Sequence, residues 1–364
     1  MSKPLSRVHN FSAGPATLPL PVLDRIREEL YDYAGSGMSV MEMSHRGSQF
    51  VALAEASETR LRALLDISED YAVLFLQGGA QMQFSAVPMN LLGDKSHADY
   101  VDTGSWSDKA IAEAKRYCQV NIVGSSKASA YFQIPEPDHW QRDPNAAYLH
   151  YTPNETIGGV EFHFVPQSTD VPLVADMSSN ILSRPVDVSK FGLIYAGAQK
   201  NIGISGLTLV IVRKDLLGRA SAHLPSMLNY QVQLKGGSMA NTVPTFAWYV
   251  ADLVFQWLEE QGGLSAMAVR NERKSQVLYD CVDASNFYAS SVSHEARSRM
   301  NVTFTLADSA LDSAFVQQAQ SAGLSGLKGH RSIGGMRASI YNAMSEEGVQ
   351  ALVSFMRDFE QRMA

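Results

Sequence analysis

Apolar residues recur along the chain in two alternating patterns. Segments with the three-to-four-residue spacing of an amphipathic helix separate short runs that are apolar at nearly every position. The helical spacing predicts helices over residues 20–33, 49–65, 246–260, 264–283 and 346–362. The apolar runs predict strands at residues 72–76, 99–102, 120–123, 147–151, 171–175, 193–196 and 207–212. Strands that are apolar on both faces and separated by helices are typical of a buried, mainly parallel sheet in an α/β protein.

A smaller unit is predicted after the last of these strands and the long helix that follows it. Gly262 and Gly263 interrupt the helical pattern, and beyond them two strand-like segments, 301–306 and 336–341, lie between helices. This order indicates a compact α+β unit. We therefore predict a large domain over residues 17–265 and a small domain that combines residues 266–364 with the N-terminal segment 1–16.

Composition and charge narrow the class of protein. The 364 residues are 45% hydrophobic and 18% charged, with a net charge of −7, which is typical of a compact globular protein without a basic surface. We expect neither nucleic acid nor a membrane as a partner. The N-terminal segment lacks the apolar stretch of a signal peptide, and Cys118 and Cys281 are too few for a disulfide framework. A cytoplasmic location is therefore expected.

Small and polar residues follow several predicted strands, at the end where parallel α/β sheets bind ligands. Gly79 and Ala80 lead into a helix that begins near Gln81, and they either expose N–H groups to a phosphate or simply make a tight turn. Asp176 ends another strand, as a helix cap or as a fixed negative charge. Lys200 leaves a strand among small residues, which suits a nucleophile, although a lone lysine is usually a surface charge.

Taken together, these features match the requirements of pyridoxal phosphate. That cofactor needs an anion cradle, a lysine for its aldehyde and a carboxylate for its ring nitrogen. Trp106, after a further strand, could stack on the ring or belong to the core. The sequence contains no Walker A, G-x-G-x-x-G, H-E-x-x-H or G-x-S-x-G motif, so NTPase, simple dinucleotide-binding and serine-hydrolase functions lose their usual support.

Two His-Arg pairs, His45-Arg46 and His330-Arg331, are followed in the second case by Arg337. Because the guanidinium fork matches carboxylate and phosphate oxygens, these residues predict a site for a small substrate with several negative charges. The alternative for each arginine is an exposed surface ion pair. Local context alone indicates turn residues at four further polar positions, Asn154, Thr156, Asn241 and Thr242.

Seven segments of the chain closely resemble the phosphoserine aminotransferase family. They are NFSAGPATLP, SVMEMSHRG, GGAQMQF, NAAYLHYTPNETIGG, IYAGAQKNIG, GSMANTVPTFAWY and LKGHRSIGGMRASIYNAM, which together cover essentially the whole chain. The resemblance implies a homodimeric pyridoxal-phosphate enzyme of fold type I, with a seven-stranded sheet. Such an enzyme transfers the amino group of glutamate to 3-phosphohydroxypyruvate in serine biosynthesis. In many bacteria the family also acts on the four-carbon homologue, 4-phosphohydroxythreonine and its keto acid, in vitamin B6 biosynthesis.

The resemblance also implies roles for individual residues. Lys200 corresponds to the lysine that forms a Schiff base with the cofactor, Asp176 to the partner of the ring nitrogen and Trp106 to the stacking ring. Further cofactor contacts are expected from Thr156 and Gln199, from the helix start at Gly79, Ala80 and Gln81, and across the subunit interface from Asn241 and Thr242. Substrate anions are expected to bind His45, Arg46, His330, Arg331 and Arg337. Some family members carry arginine where this chain has Gln81, which leaves less side-chain charge at the cofactor phosphate.

Three other functions are compatible with the same scaffold. A glyoxylate-type aminotransferase or a cysteine desulfurase would also retain Lys200 and Asp176. A desulfurase needs a reactive cysteine on a mobile loop, whereas Cys118 and Cys281 both fall in helical patterns. A catalytically silent binding protein is the third alternative, and the intact lysine and aspartate argue against it.

Overall fold

The computed structural model describes residues 7–168, 171–221 and 223–363, so residues 1–6 of the predicted N-terminal segment and residue 364 lie outside the described part. The α-helices are α1 (Leu20–Glu29), α2 (Ser48–Leu65), α3 (Ala80–Leu91), α4 (Ser105–Ala114), α5 (Tyr230–Lys235), α6 (Thr245–Glu260), α7 (Gly263–Asp283), α8 (Asp312–Ser321) and α9 (Glu346–Met363). The strands are β1 (His9–Asn10), β2 (Tyr71–Gly78), β3 (His97–Asp102), β4 (Gln119–Ser125), β5 (Leu149–Tyr151), β6 (Asn154–Glu155), β7 (Val160–Glu161), β8 (Leu173–Asp176), β9 (Leu193–Gly197), β10 (Gly206–Arg213), β11 (Tyr288–Ala289), β12 (Asn301–Leu306), β13 (Leu324–Ser325) and β14 (Met336–Ser339).

One seven-stranded sheet forms the centre of the fold, in the order β2-β10-β9-β8-β5-β3-β4. Every neighbouring pair is parallel except the two that β10 makes, with β2 and with β9. The predicted α/β fold with a mainly parallel sheet of seven strands is therefore confirmed. A hairpin loop of residues 198–205 joins β9 to β10, in place of the crossover helix that a parallel connection requires.

Helices cover both faces of this sheet, and β2 shows how the sequence specifies that burial. Val73 and Phe75 pack in the core that includes residues of α2 and α6, and the Phe75 ring stacks on Trp248 with centroids 4.4 Å apart. Leu74 and Leu76 point the other way, into a core shared with α3 and α4. Because a strand alternates its side chains between faces, burial on both faces gives the continuous apolar run seen in the sequence.

A separate apolar core surrounds the antiparallel sheet β11-β12-β14, together with α8 and α9. Helix α7 contributes to both cores, since Leu264 and Met267 pack with the large sheet and Leu278 and Val282 pack with the small one. Phe11, from the N-terminal segment, also lies in the second core. The predicted boundary at residue 265 falls inside α7, and the division into two domains stays a prediction.

Several predicted boundaries were wrong by two to four residues, and two of them show the physical reason. The helix predicted over residues 20–33 ends at Glu29, because Tyr33 leaves the helical path and packs edge-on against Tyr249, with ring centroids 5.6 Å apart. The strand predicted from residue 171 begins at Leu173, after Pro172, which has no N–H to donate to a neighbouring strand. In both cases the apolar pattern extends beyond the residues whose backbone forms the hydrogen bonds of the helix or strand.

The carboxyl ends of β2, β3, β5, β8 and β9 meet at one edge of the large sheet, which is where a ligand is expected in this architecture. Among the residues that the structure describes, no helix combines the length and the apolar character needed to cross a membrane. The same residues contain no group of three or more histidine, cysteine or acidic side chains placed to bind a metal ion.

Candidate active site

A cavity opens at this edge of the sheet, with an empty volume of about 610 Å³ that includes part of its opening to solvent. Its walls come from strand ends that are far apart in sequence. Eight of the residues predicted to contact the cofactor line it, namely Gly79, Ala80, Gln81, Trp106, Thr156, Asp176, Gln199 and Lys200. The fold therefore brings together side chains that sequence analysis could connect only through their position after strands.

Lys200 extends into this cavity from the turn after β9 and is only 9% exposed. Its Nζ donates a hydrogen bond to Thr156 Oγ1 at 2.8 Å and lies 5.5 Å from the centre of the Trp106 ring. Burial lowers the pKa of Lys200 to about 8, although the carboxylates of Asp176 and Glu155 partly oppose the shift. The amine therefore loses its proton far more readily than a surface lysine, as a nucleophile or base must.

Asp176 ends β8 and is also buried in the cavity wall. One carboxylate oxygen accepts hydrogen bonds from the backbone N–H of Ser178 at 3.0 Å and from its hydroxyl at 2.5 Å. Burial raises the pKa of Asp176, while Ser178, Lys200 and Tyr195 act to lower it. The turn that follows does not continue into an α-helix, so Asp176 is not a helix cap and its carboxylate remains directed at the site.

The start of α3 supplies the anion-binding end of the cavity. The first N–H groups of a helix have no intrahelical acceptor, and here they follow directly on Gly79. No atom outside its immediate neighbours lies within 4 Å of the position that a Cβ on Gly79 would occupy, so the turn borders open space. A Cβ on Gly197 would lie 2.8 Å from Gln199 Oε1 and 3.4 Å from Ala80 N. Glycine at position 197 therefore allows the lysine turn and the helix start to approach each other.

These residues fit pyridoxal phosphate. A helix start, a buried amine and a buried carboxylate stand at separate points of one cavity, as the phosphate, the aldehyde and the ring nitrogen of the cofactor require. Two polar atoms at the site, Trp106 Nε1 and Thr152 Oγ1, are buried without a hydrogen-bond partner among the described residues. Unpaired buried polar atoms are uncommon in folded proteins and are consistent with a ligand that completes the site.

Three of the predicted anion-binding residues lie beside this cavity. The charge of Arg337, on β14, adds to the effect of burial in lowering the pKa of Lys200, and the buried Nε of this half-buried side chain has no partner in the described part of the chain. Burial lowers the pKa of His330, and the charges of Arg337, Arg331 and Lys109 lower it further, so these cations lie within electrostatic reach of the imidazole. Lys109 Nζ in turn lies 4.2 Å from the centre of the Trp106 ring. These side chains form a cationic rim beside the cavity.

Besides these three residues, which do not line the cavity themselves, four more predicted site residues do not line it within one chain, namely His45, Arg46, Asn241 and Thr242. They occupy two loops, one before α2 and one before α6. The helices pack against each other, and Thr245 Oγ1 donates to Val40 O at 3.1 Å, so the loops are neighbours on the surface. Their predicted contacts with cofactor and substrate stay predictions.

Sequence reasoning missed a polar cluster around Asn154, which it assigned to a turn. The Asn154 amide donates to Ser179 Oγ at 2.7 Å and to Asn301 Oδ1 at 2.8 Å, and its oxygen accepts from Ser298 at 2.6 Å. Asn154 lines the cavity and thereby connects it to β12 of the second core. The sequence signal that could have placed Asn154 at the site is its position two residues before Thr156. Ser178 and Ser179, which also line the cavity, could have been found because they follow the strand-end aspartate.

Glu155 is a second functional candidate that the sequence did not reveal. Its carboxylate accepts hydrogen bonds from the backbone N–H of Trp106 at 3.0 Å and of Ser107 at 2.8 Å. Glu155 therefore caps α4 and holds the backbone of Trp106 in place. A Cβ on Gly104 would lie 2.6 Å from this carboxyl group, which explains the glycine there. Burial raises the pKa of Glu155 to about 7. No local pattern links this residue to a helix that begins 50 residues earlier in the chain.

The chain is similar to proteins of known family over almost its whole length. The model of the aminotransferase class V family matches residues 8–352. The phosphoserine aminotransferase of Ectopseudomonas mendocina (strain ymp) is 57% identical over 358 residues, which are 98% of this chain and 99% of that protein.

Solved structures agree with this result. Phosphoserine aminotransferase from Bacillus circulans subsp. alkalophilus superimposes with a TM-score of 0.96 at 49% identity, covering 98% of this chain and 99% of the other. The phosphoserine aminotransferase from Trichomonas vaginalis with bound pyridoxal phosphate gives a TM-score of 0.93 at 42% identity, covering 96% and 100% of the two chains. From its sequence, its fold and its cavity, this chain belongs to the phosphoserine aminotransferase family of class V aminotransferases.

Proposed function

We propose that this chain transfers an amino group between glutamate and 3-phosphohydroxypyruvate, giving O-phosphoserine and 2-oxoglutarate, with pyridoxal phosphate in the cavity at the sheet edge. The observation that carries the proposal is the buried Lys200 amine, which lies between the Asp176 carboxylate and a cationic rim that includes Arg337. An amine, a fixed negative charge and anion-binding groups at one point are the parts that transamination of an anionic substrate needs. The similarity to phosphoserine aminotransferases supports the choice of substrates.

Pyridoxal phosphate, when bound, supplies an aldehyde that condenses with amines and a ring that accepts electrons from the carbon next to the amino group. The start of α3 would hold its phosphate, Asp176 its ring nitrogen and Lys200 its aldehyde. Trp106 would cover the ring, while Thr156 and Gln199 would make further contacts at the cavity wall. Gln81 brings no charge to the phosphate, so backbone N–H groups carry more of that binding.

Lys200 Nζ is the group that moves the proton. With its pKa lowered to about 8, a useful fraction of the amine is neutral near pH 7 and can accept a proton from the α-carbon of glutamate. Nζ would then deliver this proton to the cofactor carbon that keeps the amino group, which leaves the amine neutral again. In the second half-reaction the transfers would run in reverse and end at the α-carbon of the incoming keto acid. The hydrogen bond to Thr156 Oγ1 holds Nζ at a defined position beside the Trp106 ring.

The arrangement of positive charge suggests how the substrate lies. The α-carboxylate is attached to the carbon that reacts at Lys200, so it should bind the arginine whose charge acts on that lysine, Arg337. The distal phosphate would then face the exposed part of the rim, where His330 and Arg331 lie. His45 and Arg46 are proposed to complete this anion site from a second subunit.

Replacing Arg337 and Arg331 separately should distinguish these two roles. Arg337→Gln should lower kcat/KM for glutamate and for the phosphorylated keto acid alike, because both carry an α-carboxylate. Arg331→Gln should act mainly on the substrate with the distal phosphate. Loss of one charge-assisted contact at a partly buried site costs about 2 to 4 kcal/mol, or about 30-fold to 1000-fold in kcat/KM. Steady-state kinetics with each substrate varied in turn would measure both effects.

The matched control is Arg273→Gln, which removes an exposed arginine that pairs with Glu346 at 2.6 Å, away from the cavity. Its kinetic constants should stay within twofold of the parent. Equal losses for the two substrates in Arg331→Gln would contradict the assignment of the rim to the distal phosphate.

We also propose a homodimer in which each active site uses residues of both chains. The loops that carry His45 with Arg46 and Asn241 with Thr242 are neighbours on the surface, away from the cavity of their own chain. Large apolar side chains are exposed near the first of these loops, with Tyr31 85% and Met41 56% exposed. Exposed apolar surface of this kind is typical of an interface, and a second copy would bring both loops to a cavity through two-fold symmetry.

Complementation between inactive chains would test this shared site. Thr242→Asp places a negative charge where the cofactor phosphate of the partner is proposed to lie, so this variant should be inactive, as should Lys200→Ala. A mixed dimer of the two variants contains one site with both defects and one site with neither. We expect purified heterodimers to regain up to about half of the parent activity per dimer. Verified heterodimers without activity would show that Thr242 and Lys200 act within the same chain.

A direct assay separates the proposed function from its alternatives. The purified protein with glutamate should aminate 3-phosphohydroxypyruvate and should act far more slowly on glyoxylate or on unphosphorylated hydroxypyruvate. The four-carbon phosphorylated keto acid, tested in parallel, would show whether the proposed second activity in vitamin B6 biosynthesis exists. Equal rates with phosphorylated and unphosphorylated acceptors would contradict the proposal.

The two cysteines do not favour a desulfurase. Cys118 was predicted in a helical pattern but lies half-buried in the turn between α4 and β4, where its thiol donates to Ala114 O at 3.5 Å and burial raises its pKa to about 11. Cys281 is buried in α7, and burial raises its pKa as well. A sulfur-accepting cysteine requires the opposite, an accessible thiol with a lowered pKa.

A further inference from the structure

A buried pair of polar side chains stands behind Asp176, on the side away from the cavity opening. His150 on β5 and Tyr195 on β9 flank β8, and the strand register pairs Tyr195 with Asp176 and His150 with Val174, two residues before it. Side chains two residues apart point to the same face, so all three polar groups share one face of the sheet. His150 is 1% exposed and Tyr195 is fully buried, and neither lines the cavity.

The hydroxyl of Tyr195 connects the other two groups. It lies 2.9 Å from His150 Nε2, and it also interacts with the Asp176 carboxylate and lowers its pKa. The hydrogen bonds with measured geometry to this carboxylate come from Ser178, at 3.0 and 2.5 Å, and Tyr195 is its neighbour in the strand register. The ring of His150 is held in place by stacking on Tyr100, with centroids 4.8 Å apart and planes 24° apart.

The direction of these hydrogen bonds follows from the charges. Burial keeps Tyr195 neutral by raising its pKa well above the usual value, so its one proton goes to the stronger acceptor, the carboxylate. The Tyr195 oxygen then accepts from His150, which requires the tautomer with its proton on Nε2. Burial lowers the pKa of His150 to about 3, so the imidazole is neutral, and its other nitrogen, Nδ1, has no partner among the described residues. A bare Nδ1 needs no acceptor, whereas the opposite tautomer would bury an unpaired N–H.

We propose that Tyr195 and His150 are positioning residues for transamination, which act as a directed pair of donors that keeps the Asp176 carboxylate ionised and aimed at the ring nitrogen of the cofactor. The inference rests on the proposed function in one respect, the assignment of Asp176 to that nitrogen. It adds two residues that touch neither cofactor nor substrate.

The charged groups around Asp176 explain why neutral donors are needed. Lys200 is the cation that acts on this carboxylate, and it gives up its charge when its amine takes part in the reaction. Glu155 is a second acidic group nearby, and the charge of Asp176 adds to the rise of its pKa. Tyr100 and Tyr230, which face Tyr195, are kept neutral by burial. Donors that do not depend on Lys200, from Ser178 and Tyr195, therefore provide the stabilisation that persists through the reaction.

The test uses the intact enzyme loaded with pyridoxal phosphate labelled with nitrogen-15 in the ring. The nitrogen resonance reports directly whether the ring nitrogen carries a proton. In Tyr195→Phe we expect the midpoint for deprotonation of the ring nitrogen to fall by about one pH unit. The Kd for the cofactor should rise and kcat should fall, each about tenfold, with KM unaltered. His150→Phe, which keeps a flat ring but loses the donor, should shift the midpoint in the same direction by less.

Tyr148→Phe is the matched control, because it removes an equally buried hydroxyl that bonds to Tyr100 at 2.8 Å rather than to this pair. Melting temperatures of the cofactor-free variants would show how much of each effect is structural. A midpoint in Tyr195→Phe that matches Tyr148→Phe would overturn the inference and leave the proposed function intact. A ring nitrogen that carries no proton in the parent would overturn the role of Asp176 and the inference together, whatever the assay with phosphorylated substrates gives.

Discussion

Lys200→Ala is expected to abolish transamination, with kcat reduced at least about a thousandfold, while the chain still folds. The amine at this position is the proposed point of attachment for the cofactor and the base that moves the substrate proton, so the substitution removes two functions at once. Single-turnover measurements of amino-group transfer from glutamate would give the residual rate. Borohydride reduction followed by mass spectrometry should attach the cofactor to the peptide containing residue 200 in the parent and to no peptide in the variant.

Stability measurements separate this loss from misfolding. Burial holds the pKa of Lys200 near 8 in the folded chain, below its value in the unfolded chain, so near neutral pH the charged lysine opposes folding. The cofactor-free Lys200→Ala protein should therefore melt at or above the temperature of the parent. This difference should shrink as the pH rises from about 8 towards the unfolded pKa and vanish above it, because both states then bind no proton. A soluble Lys200→Ala protein with near-normal turnover would refute the assignment.

Lys274→Met provides a control for the loss of a buried lysine in general. Lys274 Nζ donates to the carbonyl oxygens of Ile340, Tyr341 and Met344 at 2.7 to 3.0 Å and lies outside the cavity. Its replacement should lower the melting temperature, because three acceptors lose their donor. The cofactor should nevertheless remain attached to Lys200 in whatever fraction folds.

Asp176→Asn should lower kcat strongly while leaving the cofactor bound. A neutral amide no longer favours a proton on the ring nitrogen, so the pKa of that nitrogen should fall by about 1 to 3 units and kcat by about tenfold to a thousandfold. Cofactor should still bind through the helix start and Lys200, although more weakly. The absorption spectrum, the cofactor Kd and single-turnover rates over a range of pH would measure these changes.

Asp102→Asn is the matched control for this prediction. Asp102 is also a buried aspartate at the end of a strand, where it accepts from Ser125 at 2.7 Å and from Tyr131 at 3.1 Å, but it does not line the cavity. Its replacement should affect stability more than the spectrum or the rate. If Asp176→Asn behaved in the same way as Asp102→Asn, the carboxylate of Asp176 would have a structural role alone.

The parts of the site that sequence analysis anticipated are those that follow strands directly. Lys200, Asp176 and the helix start at Gly79 each stand at the end of a recognisable apolar run, and parallel strands bring such ends to the same edge. The motif resemblance added Trp106 and Thr156 to this set. The local sequence pattern was sufficient to locate these residues because the position of each one is set by the strand that precedes it.

The contacts that sequence analysis could not anticipate depend on the order of strands. His150 and Tyr195 meet only because β8 lies between β5 and β9, and that order cannot be read from apolar periodicity. Glu155 meets Trp106 across two different segments for the same reason. Such contacts between distant residues follow from side-chain packing in the assembled sheet. They involve the residues that support the site more than the residues that react.

The antiparallel strand β10 has a consequence for the order in which the protein folds. Because it returns directly after residues 198–205, the loop that carries Lys200 can close between strands that are adjacent in sequence. The helix start at Gly79 is brought to that hairpin by the pairing of β2 with β10, which joins Gln77 to Leu207 across the intervening chain. Closing so long a loop is slow compared with forming a hairpin. We therefore expect the lysine loop to form early in refolding and the ability to retain cofactor to appear late, so that recovery of cofactor binding reports completion of the central sheet.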